Sequence, residues 1–247
     1  MNKRLMILFI LVSAVFSLTA CGTGIGGEAG NGAGGTNEHV VIDWVDFIKI
    51  NDTQYTGLHS SVIADPSMIG EKIGEVEFKV ADNVSNPQYQ VKNGDAAFQD
   101  KGTEIFAVKN LPDFAAIKDS NEVNGYQLYQ ADKSETDISR SFKDVDKGKI
   151  SKVEFYQEKS PGEPELLNQL TSQKDIQTLI SLLDKGERRT DFAPNHSEGP
   201  VDRHQMVLYI DQPLVNTYSI NYDHETWYWH PRDTEILPDK ISEYITN

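Results

Sequence analysis

The sequence predicts an α+β protein: a mostly-β N-terminal domain followed by a small β-α-β-β-β-α C-terminal domain. Three observations carry this expectation. Between Glu38 and Ala131, short runs of alternating apolar and polar residues are separated by Asn, Asp and Gly turn signals, with no helical period. Ile176, Leu179, Ile180 and Leu183 fall at i, i+3, i+4 and i+7, which is one face of a helix. Between these regions, residues 132–148 are charge-rich, with Ile138, Phe142 and Val145 as their apolar members. The expected organisation is therefore an all-β domain over 38–131, a polar linker over 132–148 and an α+β domain over 149–247.

In the first half, Val40, Ile42 and Trp44 open a long alternating run that Phe47, Ile48 and Ile50 extend, so one strand is expected. Asn51-Asp52 turns it back at Gln54-Tyr55. Asp65-Pro66 is suited to cap a single helical turn reaching Gly70. Ile73, Val76, Phe78 and Val80 alternate with Glu75, Glu77 and Lys79, as in a strand with one wet face. Asn93-Gly94-Asp95, Asp100-Lys101-Gly102 and Asn124-Gly125 are turns. They delimit short strands near Ala96–Phe98, Thr103–Lys109, Phe114–Lys118 and Tyr126–Gln130.

In the second half, Ile150, Val153 and Phe155 form a strand. Ser172, with Asp175 three residues on, forms a capping box for the helix, and Lys185-Gly186 is placed to end it. Met206, Leu208 and Ile210 alternate as a strand, Asp211-Gln212-Pro213 turns, and Val215–Tyr222 returns. Thr226–His230 supplies a third strand. Pro238-Asp239 opens a last helix with Ile241, Tyr244 and Ile245.

The chain has 247 residues, 38% of them hydrophobic and 25% charged, with a formal net charge of −15. That composition suits a globular protein. The negative charge argues against nucleic acid, whose affinity comes from phosphate contacts, and against anionic lipid surfaces. Its plainest consequence is solubility.

The amino terminus is the most informative segment. Lys3 and Arg4 precede a run from Leu5 to Leu18 that only Ser13 and Ser17 interrupt. As a helix this run spans roughly 21 Å, short of the ~30 Å hydrocarbon core of a bilayer. It is the pattern of a secretory signal over residues 1–20. Leu18-Thr19-Ala20-Cys21 follows at once and contains the chain's one cysteine. This tetrad resembles the lipobox of bacterial lipoproteins. The resemblance implies cleavage before Cys21, a diacylglyceryl thioether on its sulfur, and an extracytoplasmic, membrane-anchored product. Two acyl chains at ~0.8 kcal/mol per buried CH₂ anchor durably where one does not. Residues 21–37 then form the lipidated Cys and a tether, with eight Gly between Gly22 and Thr36. Gly22, Gly24 and Gly27 satisfy a dinucleotide-binding pattern formally, but no strand precedes them.

The phrases Phe47–Asp52, Ile73–Val80, Lys92–Phe98 and Lys101–Phe106 resemble uncharacterised, lipobox-containing lipoproteins of low-GC Gram-positive bacteria. The likeness covers residues 1 to about 131 and rests on strand and turn phrases. It implies location and no activity.

Candidate chemistry is sparse. His204, His224, His230 and Asp202 are the available metal ligands. No His-Glu-x-x-His is present, and the ordinary expectation is solvent-exposed histidines on hairpin turns. In a strand Trp227 and Trp229 share one face and Tyr228 takes the other. They form either core or an aromatic platform for a sugar or peptide. The connection Glu187–Arg203, with Arg188, Arg189 and His196, is either disordered or a binding edge. Asp144, Asp146 and Gly148 suggest a calcium loop, but Phe155 stands where its closing Glu is required. No Gly-x-Ser-x-Gly, Ser-x-x-Lys or P-loop occurs, and lipidation of Cys21 leaves no free thiol. The expectation is a binding or interaction module of the cell envelope without cofactor. It would meet the membrane through Cys21 and an envelope protein or wall polymer through its folded part. The alternative is a cell-envelope hydrolase using carboxylates or a weak His/Asp metal site.

Overall fold

Among the described residues, fifteen of the sixteen strands pair antiparallel with at least one neighbour, and two α-helices accompany them. The computed structural model describes residues 42–136, 138, 141–159 and 161–245. The expected signal, lipobox and tether (Leu18, Thr19, Ala20 and Cys21 included) lie outside the described residues. All described residues belong to one compact unit, and the protein is mostly β.

In the first half the strands are β1 (Phe47–Ile50), β2 (Thr53–Leu58), β3 (Ser61–Ile63), β4 (Ile69–Glu75), β5 (Phe78–Lys79), β6 (Asp95–Ala96), β7 (Glu104–Val108), β8 (Leu111–Lys118) and β9 (Tyr126–Ala131). All but β3 form one sheet in the order β4-β7-β8-β9-β2-β1-β6-β5. Asn51 and Asp52, at φ 50° and 61°, supply the left-handed pair of the tight β1–β2 turn. Asp65 caps a 3-10 turn over Pro66–Met68, accepting a hydrogen bond from Ser67 N.

Two expectations here need correction. Among the described residues, the strand anticipated from Val40 begins at Phe47, and residues 42–46 are not part of it. Val45 is 67% exposed, and the Asp46 carbonyl accepts the Gly57 N–H, ending the regular ladder. The run Ile73–Val80 is also two strands. The chain leaves the β4–β7 pair after Glu75, and Phe78–Lys79 pairs in parallel with β6 instead. Gly74 permits the close packing beside β1, where a Cβ would lie 2.5 Å from Ile50 Cδ1.

The second half contains β10 (Lys152–Gln157), β11 (Glu165–Leu170), α1 (Gln173–Leu183), β12 (Glu187–Arg188), β13 (Asp202–Tyr209), β14 (Leu214–Tyr222), β15 (Trp227–Trp229), β16 (Glu235–Ile236) and α2 (Ser242–Ile245). The sheet order is β11-β10-β13-β14-β15-β16-β12, and β3 from the first half pairs with β14 as well. The structure thus adds β11, β12 and β16 to the anticipated β-α-β-β-β-α order. β11 carries Leu166 and Leu167 in succession rather than in alternation, and Leu166 is 48% exposed at the sheet edge.

Helix α1 follows from its sequence. Ser172 caps it through Asp175 N, and Ile176, Leu179, Ile180 and Leu183 are all buried. The helix ends with Asp184 in right-handed conformation, so Gly186 is not a left-handed cap. It is instead a point of close approach, where a Cβ would meet Glu235 Oε2 at 2.7 Å.

α1 and α2 cover one face of this sheet over a core of seventeen buried residues. Phe142, from the 132–148 segment, belongs to that core and meets Trp229 edge-on at 5.0 Å between ring centroids. The other face packs Val207, Tyr209 and Val215 against Val62 and Val123 of the first half. Burying each such side chain contributes roughly 1.5–3 kcal/mol.

Candidate functional site

Strand register decides what meets at the uncovered end of the second sheet. Gln157 stands opposite His204, His204 opposite Ile220, and Ile220 opposite Trp229. One row further out, Asp202 stands opposite Tyr222 and Tyr222 opposite Trp227. Paired residues share a face, and this is the face that carries the helices. The inner row ends the apolar core. The outer row borders a cavity of about 570 Å³ lined by Gln157, Asp202, His204, Tyr222, Glu225, Trp227, Asp239 and Ser242. Glu225 reaches it from the β14–β15 turn, and Asp239 and Ser242 from the start of the terminal helical segment.

His204 is 5% exposed, which corrects the expectation of a solvent-exposed turn histidine. It lies inside β13, with its ring centroid 5.5 Å from that of Trp227. Its Nδ1 is buried without a hydrogen-bond partner, and it is the one ionisable group among the described residues in that condition. Burial pushes the imidazole pKa down, against the opposing pull of Asp202 and the Ile220 backbone, so the neutral ring is favoured. An unsatisfied buried group of this kind costs about 1–3 kcal/mol.

The aromatic lining is already stacked. Tyr222 lies on Trp227 at 4.6 Å and 22°, and His204 packs beside the same indole. The polar lining bears three carboxylates, on Asp202, Glu225 and Asp239, and no Lys or Arg. Asp202 Oδ2 is 3.8 Å from His224 Nδ1.

A second cluster anchors the rim. Asp223 is 2% exposed and accepts hydrogen bonds from the backbone N–H of Asn195 at 2.8 Å, Thr226 at 2.7 Å and Glu225 at 3.2 Å. Burial opposes its charge, but these N–H groups outweigh burial and hold the carboxyl below the usual carboxylate range. His224, at φ 71°, donates from Nε2 to the Pro200 carbonyl at 2.8 Å. Both contacts fasten the 187–203 connection to the β14–β15 turn.

The weak candidate metal ligands do not assemble. Asp202, His204 and His224 are neighbours, but His230 lies beyond β15 against Thr234 Oγ1 at 3.1 Å. Among the described residues, no three His, Cys, Asp or Glu side chains form a group able to hold a metal ion. Of the two readings of the Trp227–Trp229 strand, core or aromatic platform, burial favours core: Trp227, Tyr228 and Trp229 are 6%, 5% and 1% exposed. Trp227 contributes to the cavity wall, Trp229 belongs to the core, and Tyr228 packs on the other face against Phe192 at 4.9 Å. Arg188 pairs with Asp233, Arg189 lies near Asp191, and His196 is exposed. None of the three lines the cavity.

Gln157, Tyr222, Asp239 and Ser242 did not emerge from the sequence as site residues. The parity of β13 is the signal that could have found the inner part: Asp202 and His204 continue the face of Met206 and Leu208. No family model, curated protein or solved structure matches the chain.

Proposed function

We propose that this chain is an exported lipoprotein, held on the extracytoplasmic face of the cell membrane by lipid on Cys21, where it acts as a ligand-binding module of the cell envelope. The charged-then-apolar leader and the Leu18-Thr19-Ala20-Cys21 tetrad support the location. Binding is supported by one observation above the rest: the cavity of about 570 Å³ at the end of the second sheet is lined by the buried His204 beside Asp202, Glu225 and Asp239. The finer architecture belongs to the same proposal. A mostly-β domain over 38–131 and an α+β domain over 149–247 are joined through 132–148 and share the β3–β14 pairing. No cofactor is assigned. The partners are the membrane, through Cys21, and an envelope protein or wall polymer.

Fatty-acid labelling and mass spectrometry of the mature amino terminus test the location. The expected product begins at a lipid-modified Cys21, and Cys21→Ser leaves an unlipidated precursor. A mature terminus elsewhere would contradict the proposal. The carboxylates of Asp202, Glu225 and Asp239 in one cavity favour a hydrolase as second reading. Turnover of cell-wall glycan that is lost in Asp202→Asn or Glu225→Gln would establish it in place of the first.

A further inference from the structure

Resting on the reading of Cys21 as a lipid anchor, we infer that one end of the first sheet docks on the bilayer surface, with Val45 and Phe98 seated in the interfacial layer.

Exposure comes first. Among the described residues three large hydrophobic side chains are exposed: Val45 at 67%, Leu166 at 48% and Phe98 at 46%. Single exposed apolar residues are ordinary, but two of these three meet at one place. β1 begins at Phe47 and runs antiparallel to β6, with Ile48 opposite Ala96. The Ala97 N–H donates to the Phe47 carbonyl at 2.9 Å, which carries the register one step further. Continuing it brings Phe98 level with Asp46, beside Val45. Their chain neighbours are held firmly. Phe47, Val80 and Ala97 form a small buried cluster, and Trp44, Phe78 and Tyr89 pack half-buried against it. This end of the sheet is therefore a fixed support with apolar side chains projecting from it. Leu166, by contrast, stands alone on the edge strand β11.

The chain preceding this end indicates what covers it. Residues 22–41 join Cys21 to Ile42, the first described residue, and the chain enters the fold through Trp44 and Val45. A Gly-rich chain of that length spans about 25 Å r.m.s.. An anchor at Cys21 thus keeps Val45 and Phe98 close to the bilayer and raises their effective concentration there. Charge sets the character of the contact. The net charge of −15 opposes anionic headgroups, so apolar burial carries the contact and the anchor makes it persist. An aromatic and a branched side chain beside a half-buried Trp suit the boundary between headgroups and acyl chains.

Tryptophan quenching by bromine tests this. The mature lipidated chain is recovered from membranes and reconstituted into phosphatidylcholine vesicles whose acyl chains are brominated. The chain has three tryptophans, and Trp227 and Trp229 are enclosed in the second half, so a short-range quencher in the bilayer reads Trp44. The expected result is partial quenching that Trp44→Phe removes. The pair Val45→Ser and Phe98→Ser, both at exposed positions, should also remove it, and Leu166→Ser should leave it unchanged. Flotation with the vesicles reports the anchor separately. A chain that floats but is not quenched would overturn the inference and leave the anchor intact; a chain that does not float would remove both. Equal loss of quenching in Leu166→Ser would reduce the effect to general hydrophobicity and overturn the inference. A dimer in detergent that the Val45/Phe98 pair dissociates would assign this end to a second copy and overturn it likewise.

Discussion

The two faces of the second sheet each bury an ionisable side chain, and they treat it in opposite ways. On the face toward the first half, Glu154 is 6% exposed and fully engaged. Lys152 Nζ lies 2.7 Å from its Oε1, and Tyr156 donates to its Oε2 at 2.8 Å. Lys152 also sits 3.6 Å above the Tyr209 ring. Asn124, at φ 64°, adds a bond from Nδ2 to the Ile63 carbonyl at 2.7 Å. On the helix-covered face, His204 is equally enclosed and its Nδ1 has no partner. Buried polar groups are nearly always paired, so the satisfied Glu154 cluster reads as architecture, while the unpartnered Nδ1 of His204 is a local cost. Glu154 belongs to the joint between the halves; His204 lines the cavity at the end of the second sheet.

The largest effect should come from breaking the satisfied cluster. Glu154→Ala strands Lys152 and Tyr156 and is expected to lower unfolding stability by about 3 kcal/mol. A urea titration reads this as a lower midpoint, and an unchanged midpoint would remove the distinction between the faces.

Next is the rim. Asp223→Ala deprives three backbone N–H groups of their acceptor and should cost about 2 kcal/mol. Hydrogen exchange should accelerate locally at Asn195 and Thr226. Acceleration across both sheets alike would mean that Asp223 supports the whole fold rather than this connection.

Acid pH sharpens the comparison further. Burial opposes the charge on Glu154, but hydrogen bonds from Lys152, Tyr209 and Tyr156 outweigh it and depress its pKa. The folded state therefore binds fewer protons than the unfolded one. The stabilisation is present above the ordinary value of 4.5 and is lost as pH falls through the folded value. Asp223 behaves likewise from its ordinary 3.8. Unfolding measured from pH 6 to pH 3 should show stability falling over the acid range, and Glu154→Gln should flatten part of that slope.

How much of this could be read in advance differs between elements. Helix α1 was legible because cap and apolar stripe agree over Ser172–Leu183. The β1–β2 hairpin was legible through Asn51-Asp52, and β13 and β14 through their alternation. The two-residue strands β5, β12 and β16 were not, because they exist only through pairing with chain distant in sequence. The exchange of β3 into the second sheet carries no local signal for the same reason. The site was half legible. Asp202 and His204 were noticed as polar residues, yet apolar alternation counts only apolar side chains, so His204 was placed in solvent rather than at the end of the core face. Asp239 and Ser242 join the cavity through tertiary packing alone.

The smallest expected change in stability is also the most direct test. His204→Phe replaces a buried ring bearing an unpartnered nitrogen with an apolar ring in the same packing. Unfolding free energy in urea should stay within about 1 kcal/mol of the parent chain or rise, because no hydrogen bond to Nδ1 is lost. A loss of stability comparable to that of Glu154→Ala would show that His204 is built into the fold as Glu154 is, and would contradict the account.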